Sequence, residues 1–492
     1  MLPIYDMYIN GEWVKPSSGE YFESVYPATG KAWCKVARGN EEDVNKAVEA
    51  AYDALTNPEW ANTTFTERGH LLRKLGDLLA ENVDEIAELE TKDNGKLMRE
   101  MKGQISYMPQ FFYYYAGLAD KIQGETLPID KQNMFVYTKK EPIGVVAAIT
   151  PWNSPLYLTF IKLAPALVAG NTIVIKPSEY TSTSLLQFMN LVEEAGFPRG
   201  VVNVVTGYGH DVGQALTTHS KVRRIAFTGG SEAARHIIRN SAENFSRLSL
   251  ELGGKSPNIV FDDANLHNAL MGVIAGIFGA TGQSCVAGSR LFLHEDIYDE
   301  FMGMLIERTR QIVVGDPMDP KTEIGPVATE QQLETIEKYV KIGLEEGAKL
   351  VIGGKRPEHM KEGWYYEPTI FEHDEHTGCL VTEEVFGPVL SVMKFSTEEE
   401  IVQLANSTDY GLAAGIWTEN IGRAHRMVDQ IRSGIVWVNT YRSISPMAAI
   451  GGSGLSGYGR EGGLDSIEDY LEKKTVWINT SDEQMDDPFI MR

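Results

Sequence analysis

The chain reads as an α/β protein with one domain on a parallel sheet, a second α/β domain, and a small β arm. Three observations predict this. From Gly144 onward, apolar runs of strand length alternate with longer helical patterns, which is the rhythm of a parallel sheet with right-handed crossovers. A second alternating block extends from about Gly253 to Ser453 and includes Gly434-Ile-Val-Trp-Val-Asn439. Two extended stretches, Ile122 to Lys140 and Lys474-Thr-Val-Trp-Ile-Asn479, fit no sheet core and suit an outlying β arm. At 492 residues the chain is too long for one small core, so two or three domains are expected.

Element by element, Glu41 to Glu100 is helical, because Val44, Ala47, Val48 and Ala51 recur at helical spacing, as do Leu71, Leu72, Leu75, Leu78 and Leu79. Val145-Val-Ala-Ala-Ile149 is a continuous apolar run ended by Pro151, the pattern of a strand buried on both faces. A helix from Phe160 to Val168 follows, then a strand Thr172 to Ile175 and a helix Thr183 to Ala195. A strand Val201 to Val205, a helix Asp211 to Thr217 and a strand Arg224 to Thr228 complete the block.

Composition narrows the partners. Forty-five basic against 68 acidic residues leave a net charge of −23. Such a field repels nucleic acid and anionic membrane. The three cysteines, Cys34, Cys285 and Cys379, form no CxxC pair, so neither a disulfide framework nor a metal site is expected. A reducing, cytoplasmic compartment fits that usage. The apolar-rich stretch Ala264 to Ala280 is broken by Asn265, His267, Asn268 and glycines, and is no membrane span. Nor does the N-terminus show a basic region followed by an apolar core, so no signal peptide is read.

The chemistry concentrates in a few strings. Thr281-Gly-Gln-Ser284-Cys285-Val286-Ala-Gly-Ser-Arg290 places one cysteine among small residues, 34 positions after the acid of Leu250-Glu251-Leu252-Gly-Gly-Lys-Ser-Pro257. A thiolate can attack a carbonyl carbon, and a carboxylate can activate the water that later releases the product. For a lone cysteine the bland alternative is a small buried apolar residue. A catalytic thiol needs an exposed sulfur and a lowered pKa. Thr150-Pro-Trp152-Asn153-Ser154-Pro155 follows a buried strand, where parallel sheets bind ligands. Ile175-Lys176-Pro-Ser178-Glu179 pairs a strand-end lysine with a carboxylate. Phe227-Thr228-Gly229-Gly-Ser231-Glu-Ala-Ala234 takes a strand through a glycine turn into a helix whose amides suit a pyrophosphate. Glu383-Glu384-Val-Phe386-Gly-Pro388 and Ser456-Gly-Tyr-Gly-Arg460-Glu lie further on.

In their order along the chain, and over nearly its whole length, these strings resemble the signatures of the NAD(P)-dependent aldehyde dehydrogenases of the hydrolytic, non-acylating branch. One departure is Ala234, where the family usually carries a second glycine five positions after the first. The resemblance implies a Rossmann-like NAD-binding domain of residues 1–119 and 141–252. It implies a catalytic domain over 253–455 and an oligomerisation arm and tail over 120–140 and 470–492. It assigns Cys285 as nucleophile, Glu251 as the base of thioester hydrolysis and Asn153 as oxyanion donor. Trp152, Lys176, Ser178, Glu179, Gly209, Gly213, Phe227, Thr228, Gly229, Ser231, Leu252, Glu384 and Phe386 would hold NAD, or NADP. Glu179 would favour NAD by repelling a 2′-phosphate. No metal is implied.

Ser154, Leu158, Ile161, Ser284, Val286 and Arg442 would line the path of an aldehyde substrate. Little aromatic bulk lies near Ser154, so no simple ring-stacking pocket is evident. Arg442 suits an acid-bearing aldehyde, or is an arginine paired within the protein. A homodimer or homotetramer is expected, because exposed strand edges pair with something. Asp486-Asp-Pro-Phe-Ile-Met-Arg492 is a tail that either tucks against a partner or stays disordered. Two other functions remain open: a CoA-acylating semialdehyde dehydrogenase of the same fold, and a non-catalytic protein that keeps the fold.

Overall fold

Strand Val145–Ile149 is buried along its whole length, and the first sheet is assembled around it. The computed structural model describes residues 2–485 and 487–490. On one side of this strand lie Thr172–Lys176 and Val202–Val204, and on the other Val222–Thr228 and Arg247–Glu251, all parallel. The chain leaves Val145–Ile149 in one direction and returns to its other edge, so the strand order reverses between Val145–Ile149 and Val222–Thr228. Ligands of parallel sheets bind beyond the carboxyl ends of strands at such a reversal. Here those ends lead into Thr150-Pro-Trp-Asn153 and Gly229-Gly230.

The expected alternation of strands and helices is present. The helix after the first strand begins at Pro155 rather than Phe160 and reaches Val168, because proline fits the first turn, where its missing N–H is not needed. The expected helix Asp211 to Thr217 is a π-turn, Gly209–Gly213, followed by the short helix Gln214–Thr218. The strands before Glu41 were not anticipated. Met7–Ile9 and Glu12–Val14 extend the sheet antiparallel at one edge. Ile4–Tyr5, Tyr21–Tyr26 and Lys31–Ala37 form a separate three-stranded sheet. They are two to seven residues long, too brief for periodicity to announce.

The second block forms a seven-stranded sheet, with Pro257–Val260 and Arg290–His294 adjacent and parallel at its centre. Cys285 lies in the loop that enters Arg290–His294. The two halves are not independent. Gly457–Tyr458, beyond the second block, pairs antiparallel with Arg247–Glu251 of the first sheet. The arm forms as a two-stranded ribbon, Met134–Pro142 against Leu471–Asn479 in antiparallel register. Each stretch therefore has a partner in its own chain; residues 125–127 partly cover the outer edge of Met134–Pro142, and no further strand among the described residues pairs with the outer edge of Leu471–Asn479. In the tail, Phe489 and Ile490 are exposed; positions 486, 491 and 492 lie outside the described residues. No helix among the described residues is long and apolar enough to cross a membrane.

Phe160 is fully buried, with its ring 5.0 Å from Phe112 and 4.5 Å from Phe188, joining three helices beneath the first sheet. Replacing it with alanine is expected to cost roughly 3–5 kcal/mol through lost burial and the cavity left behind. The denaturant midpoint of Phe160→Ala should fall accordingly, and an unchanged midpoint would remove this cluster from the account of stability.

Candidate active site

Cys285 is presented by an unusual turn. Ala280, Thr281 and Gly282 all lie in the left-handed region, at φ 55°, 56° and 71°. Two of the three carry a Cβ and are strained there. Gly282 has no alternative, since a Cβ would meet Gly387 O at 2.1 Å. The turn is held by tertiary bonds: Ala280 N–H donates to Glu100 Oε1 (3.2 Å) and Thr281 Oγ1 to Gly325 O (3.2 Å). Next to it, Ala328 N–H donates to Gln283 Oε1 (2.9 Å), and Asn153 Nδ2 donates to Gln283 O (3.1 Å). That last bond ties the Asn153 amide to the cysteine loop and leaves its other N–H free to donate. The Cys285 N–H has no acceptor among the described residues.

Cys285, Glu251 and Asn153 line one cavity of about 320 Å³ with Trp152, Leu252, Glu384 and Phe386. The same three also line a second cavity of about 350 Å³ with Ser154, Leu158, Ile161, Ser284, Val286 and Arg442. All six expected substrate-path residues are thus together. Tyr107, Tyr157 and Trp437 line that cavity as well, so it is more aromatic than the strings around Ser154 suggested. A third cavity of about 580 Å³ lies over the strand reversal. It is lined by Lys176, Ser178, Glu179, Gly209, Gly213, Phe227, Thr228 and Gly229. It shares Trp152, Thr228 and Gly229 with the first, so the three adjoin. Ser231 opens the helix Ser231–Ser241 at this edge but does not line the cavity, whereas its neighbours Gly230 and Ala233 do.

The third cavity has the donors a dinucleotide needs. No side chain caps helix Ser231–Ser241, so its first amides are available to an anion. Lys176 Nζ lies 3.5 Å from Glu179 Oε2 and donates to Pro177 O (2.8 Å). At the junction, Trp152 meets Phe386 edge to face at 5.3 Å, and Phe386 is itself left-handed at φ 56°. Glu384 Oε1 accepts from Gly254 N–H (2.9 Å), and a Cβ at Gly253 would meet Glu384 Oε2 at 2.0 Å. Glycine there is what lets the carboxylate in.

The electrostatics run against one requirement, since a nucleophilic thiol needs a lowered pKa. Burial, then the negative charges of Glu384 and Glu251, instead push the thiol up to about 12. Burial and the Glu461 carboxylate raise Glu251 well above the usual range, and Glu384 is raised to about 7, chiefly by burial. Glu251 Oε1 is buried with no hydrogen-bond partner among the described residues. It is an acceptor waiting for a donor. Cys34 and Cys379 are free and buried, as expected of structural residues.

The comparisons with known proteins agree with this geometry. A family model described as the aldehyde dehydrogenase family matches residues 13–476. The chain belongs to the aldehyde dehydrogenase family. It is 52% identical over 489 residues, 99% of each chain, to (Z)-2-((N-methylformamido)methylene)-5-hydroxybutyrolactone dehydrogenase of Acinetobacter baylyi. It is 43% identical over 479 residues to betaine aldehyde dehydrogenase of Bacillus subtilis, covering 96% of this chain and 97% of the relative. A solved NAD+ complex of aldehyde dehydrogenase from Bacillus cereus superposes with a TM-score of 0.95 at 41% identity, covering 97% of each chain.

Two site residues of this aldehyde dehydrogenase were not singled out from the sequence. Lys162 donates to both oxygens of Glu461 (2.5 and 2.7 Å) and to Thr228 Oγ1 (2.7 Å), fully buried beside Glu251. A lysine inside the otherwise apolar helix Pro155–Val168 was the available signal. The other half of the pair sat unremarked at the end of Ser456-Gly-Tyr-Gly-Arg460-Glu461.

A thiol held protonated by its surroundings alkylates slowly. In the ligand-free protein, iodoacetamide labelling of the Cys285 peptide, followed by mass spectrometry, should rise about tenfold per pH unit from pH 7 to 9, tracking the thiolate fraction. A plateau below about pH 8, where free cysteine itself titrates, would contradict the raised pKa.

Proposed function

We propose that the protein oxidises an aldehyde to the carboxylic acid with NAD, using Cys285 as nucleophile, Glu251 as general base and Asn153 as oxyanion donor. The observation that carries this is the meeting of these three side chains on one cavity that adjoins the 580 Å³ cleft over the strand reversal. Cys285 gives its proton to solvent as its sulfur bonds to the aldehyde carbon and the carbonyl π bond breaks, giving a thiohemiacetal oxyanion. The free N–H of Asn153 and the Cys285 amide receive the oxyanion, a kind of contact worth about 2.7–4 kcal/mol in the transition state. NAD bound in the cleft supplies the hydride acceptor, and loss of hydride from carbon leaves a thioester on Cys285. Glu251 then takes a proton from water, the hydroxide adds to the thioester, and the C–S bond breaks to release the acid. The upward shift makes Glu251 a stronger base than an ordinary carboxylate. Lys162 and Glu461 are positioning residues: their charges act on Glu251 in opposite directions.

Release of the thioester to CoA is not favoured, because a buried carboxylate with an unpartnered oxygen already shares the cavity with Cys285. Glu179 beside the cleft supports NAD over NADP. Residues 1–119 with 141–252 are read as the NAD-binding domain, 253–455 as the catalytic domain, and 120–140 with 470–492 as arm and tail. Three free cysteines support a reducing, cytoplasmic setting. A substituted hydroxybutyrolactone, after the relative from Acinetobacter baylyi, is among the substrates to try first.

Two variants test the chemistry. Cys285→Ala should still bind NAD, followed by fluorescence, but reduce none of it. Glu251→Gln should give a burst of about one NADH per site before slow turnover, as expected when deacylation alone is impaired. Burst and turnover lost equally would refute the hydrolytic role, and an active Cys285→Ala would refute the nucleophile.

The arm supports a homodimer or homotetramer. Met134–Pro142 and Leu471–Asn479 form a ribbon of only two strands, which is marginal alone in water, and Phe135, Trp477 and Ile478 are exposed on it. Light scattering at micromolar concentration should give a multiple of 54.6 kDa, and a mass of 54.6 kDa would defeat the assembly.

A further inference from the structure

The 350 Å³ cavity beside Cys285 holds two cations that the mechanism does not use, Lys96 and Arg442. Lys96 is buried, and its Nζ donates to Ser154 Oγ at 2.7 Å. It makes no ion pair within 4.0 Å among the described residues. The nearest acids are otherwise placed. Glu100 accepts from Ala280 N–H, and both oxygens of the buried Glu90 are unpartnered. An ammonium carries three donors, so Lys96 has two to spare. Burial pulls its pKa down to about 8, which an anion nearby would reverse.

Arg442 is placed with equal care. Tyr441 before it is buried, with its hydroxyl donating to Val286 O (3.0 Å) and its ring against Gly276, Gly288 and Gly415. Arg442 itself is left-handed at φ 61°. Its Nη1 donates to Ala275 O (3.1 Å) and passes over Gly279, where a Cβ would meet it at 2.6 Å. It too makes no ion pair among the described residues, so most of its five donors are free. Tyr107, Ile161, Trp437 and Ile444 on the cavity wall carry no charge, and of its two carboxylates Glu461 is paired with Lys162 while Glu251 makes no ion pair with Lys96 or Arg442.

Resting on the reading of Cys285 as nucleophile, we propose that Lys96 and Arg442 bind a carboxylate, so that the preferred substrate is an aldehyde carrying a carboxylate at its far end. A buried ammonium without an ion partner is costly to keep empty, the half-buried guanidinium beside it has donors to spare, and a carboxylate offers two oxygens to receive them. A neutral aldehyde of the same length leaves both unpaired, which is how a polar site rejects an analogue lacking the matching group. The competing role is electrostatic support of the thiolate, since the Arg442 charge also reaches Cys285.

The experiment compares kcat/KM for 4-oxobutanoate and 5-oxopentanoate with butanal and pentanal, all with NAD. The wild type should favour the acid-bearing member of each pair, and Arg442→Gln and Lys96→Gln should each lower that ratio about 10-fold or more, mainly through KM. A wild type that prefers the neutral aldehydes overturns the proposal. So does an equal loss on both aldehydes in Arg442→Gln, which would instead mark an effect on the thiol. If Lys96→Gln does not fold, Arg442→Gln decides alone. Succinate gives a readout without turnover: it should protect Cys285 from iodoacetamide in the wild type and not in Arg442→Gln. That protection without NADH from any aldehyde would retain the carboxylate site and sink the dehydrogenase reading, whereas NADH formation without protection or acid preference would do the reverse.

Discussion

The site depends on the left-handed run Ala280–Thr281–Gly282. A left-handed residue with a Cβ costs about 1–2 kcal/mol, so two in succession persist only where the surroundings over-determine them. Here they are over-determined. Glu100 holds Ala280 from the helical layer, Gly325 receives Thr281, and Gly387 leaves no room for a side chain at Gly282. The strained turn fixes Gln283, Gln283 fixes the Asn153 amide, and the turn directs Cys285 into the cavities. Phe386 and Arg442, both left-handed, line the same cavities from other segments. Strain therefore clusters where side chains must be aimed, and it is balanced by bonds to elements far away in sequence.

Burial sets the resting state of the site. Cys285, Glu251 and Glu384 are each shifted toward the neutral form, burial being the largest cause for all three. Three negative charges crowded in so dry a space would repel one another strongly. A shift toward the neutral form lessens that repulsion and lowers the thiolate fraction of Cys285. The buried Lys162–Glu461 pair sits behind Glu251 as a fixed dipole, with its hydrogen bonds satisfied. A single missing partner there would leave a bare buried charge, so the two positions act as a unit.

Legibility in the sequence followed the range of the signal. The long periodic elements were readable: helix Thr183–Ala195 and the fully buried strands Val145–Ile149 and Thr172–Lys176 fall where apolar runs placed them. The site strings were readable because glycine turns and a cysteine among small residues are local features. What escaped was set by tertiary contact. The short N-terminal strands carry no periodic pattern, yet Met7–Ile9 closes a sheet edge. The aromatic wall of Tyr107, Tyr157 and Trp437 comes from three distant segments. The direction of the Cys285 shift was not legible, because burial and two carboxylates are invisible in a string that shows only small residues.

The final constraint is topological. Had the first sheet ended at Arg247–Glu251, Glu251 would lie at an open edge. Instead Gly457–Tyr458 crosses back from beyond the second sheet and pairs with that strand, Glu251 facing Gly457. Glycine is required at this crossing, where φ is 97° and a Cβ would meet Leu250 O at 1.9 Å. The same crossing delivers Arg460 and Glu461 to Glu251 and Lys162, while Ser456 Oγ donates to Gly253 O (2.7 Å). Glu251 is thus tuned by a segment more than two hundred positions later. The environment of Glu251 therefore depends on Gly457–Tyr458 and Glu461, which come from beyond the second sheet.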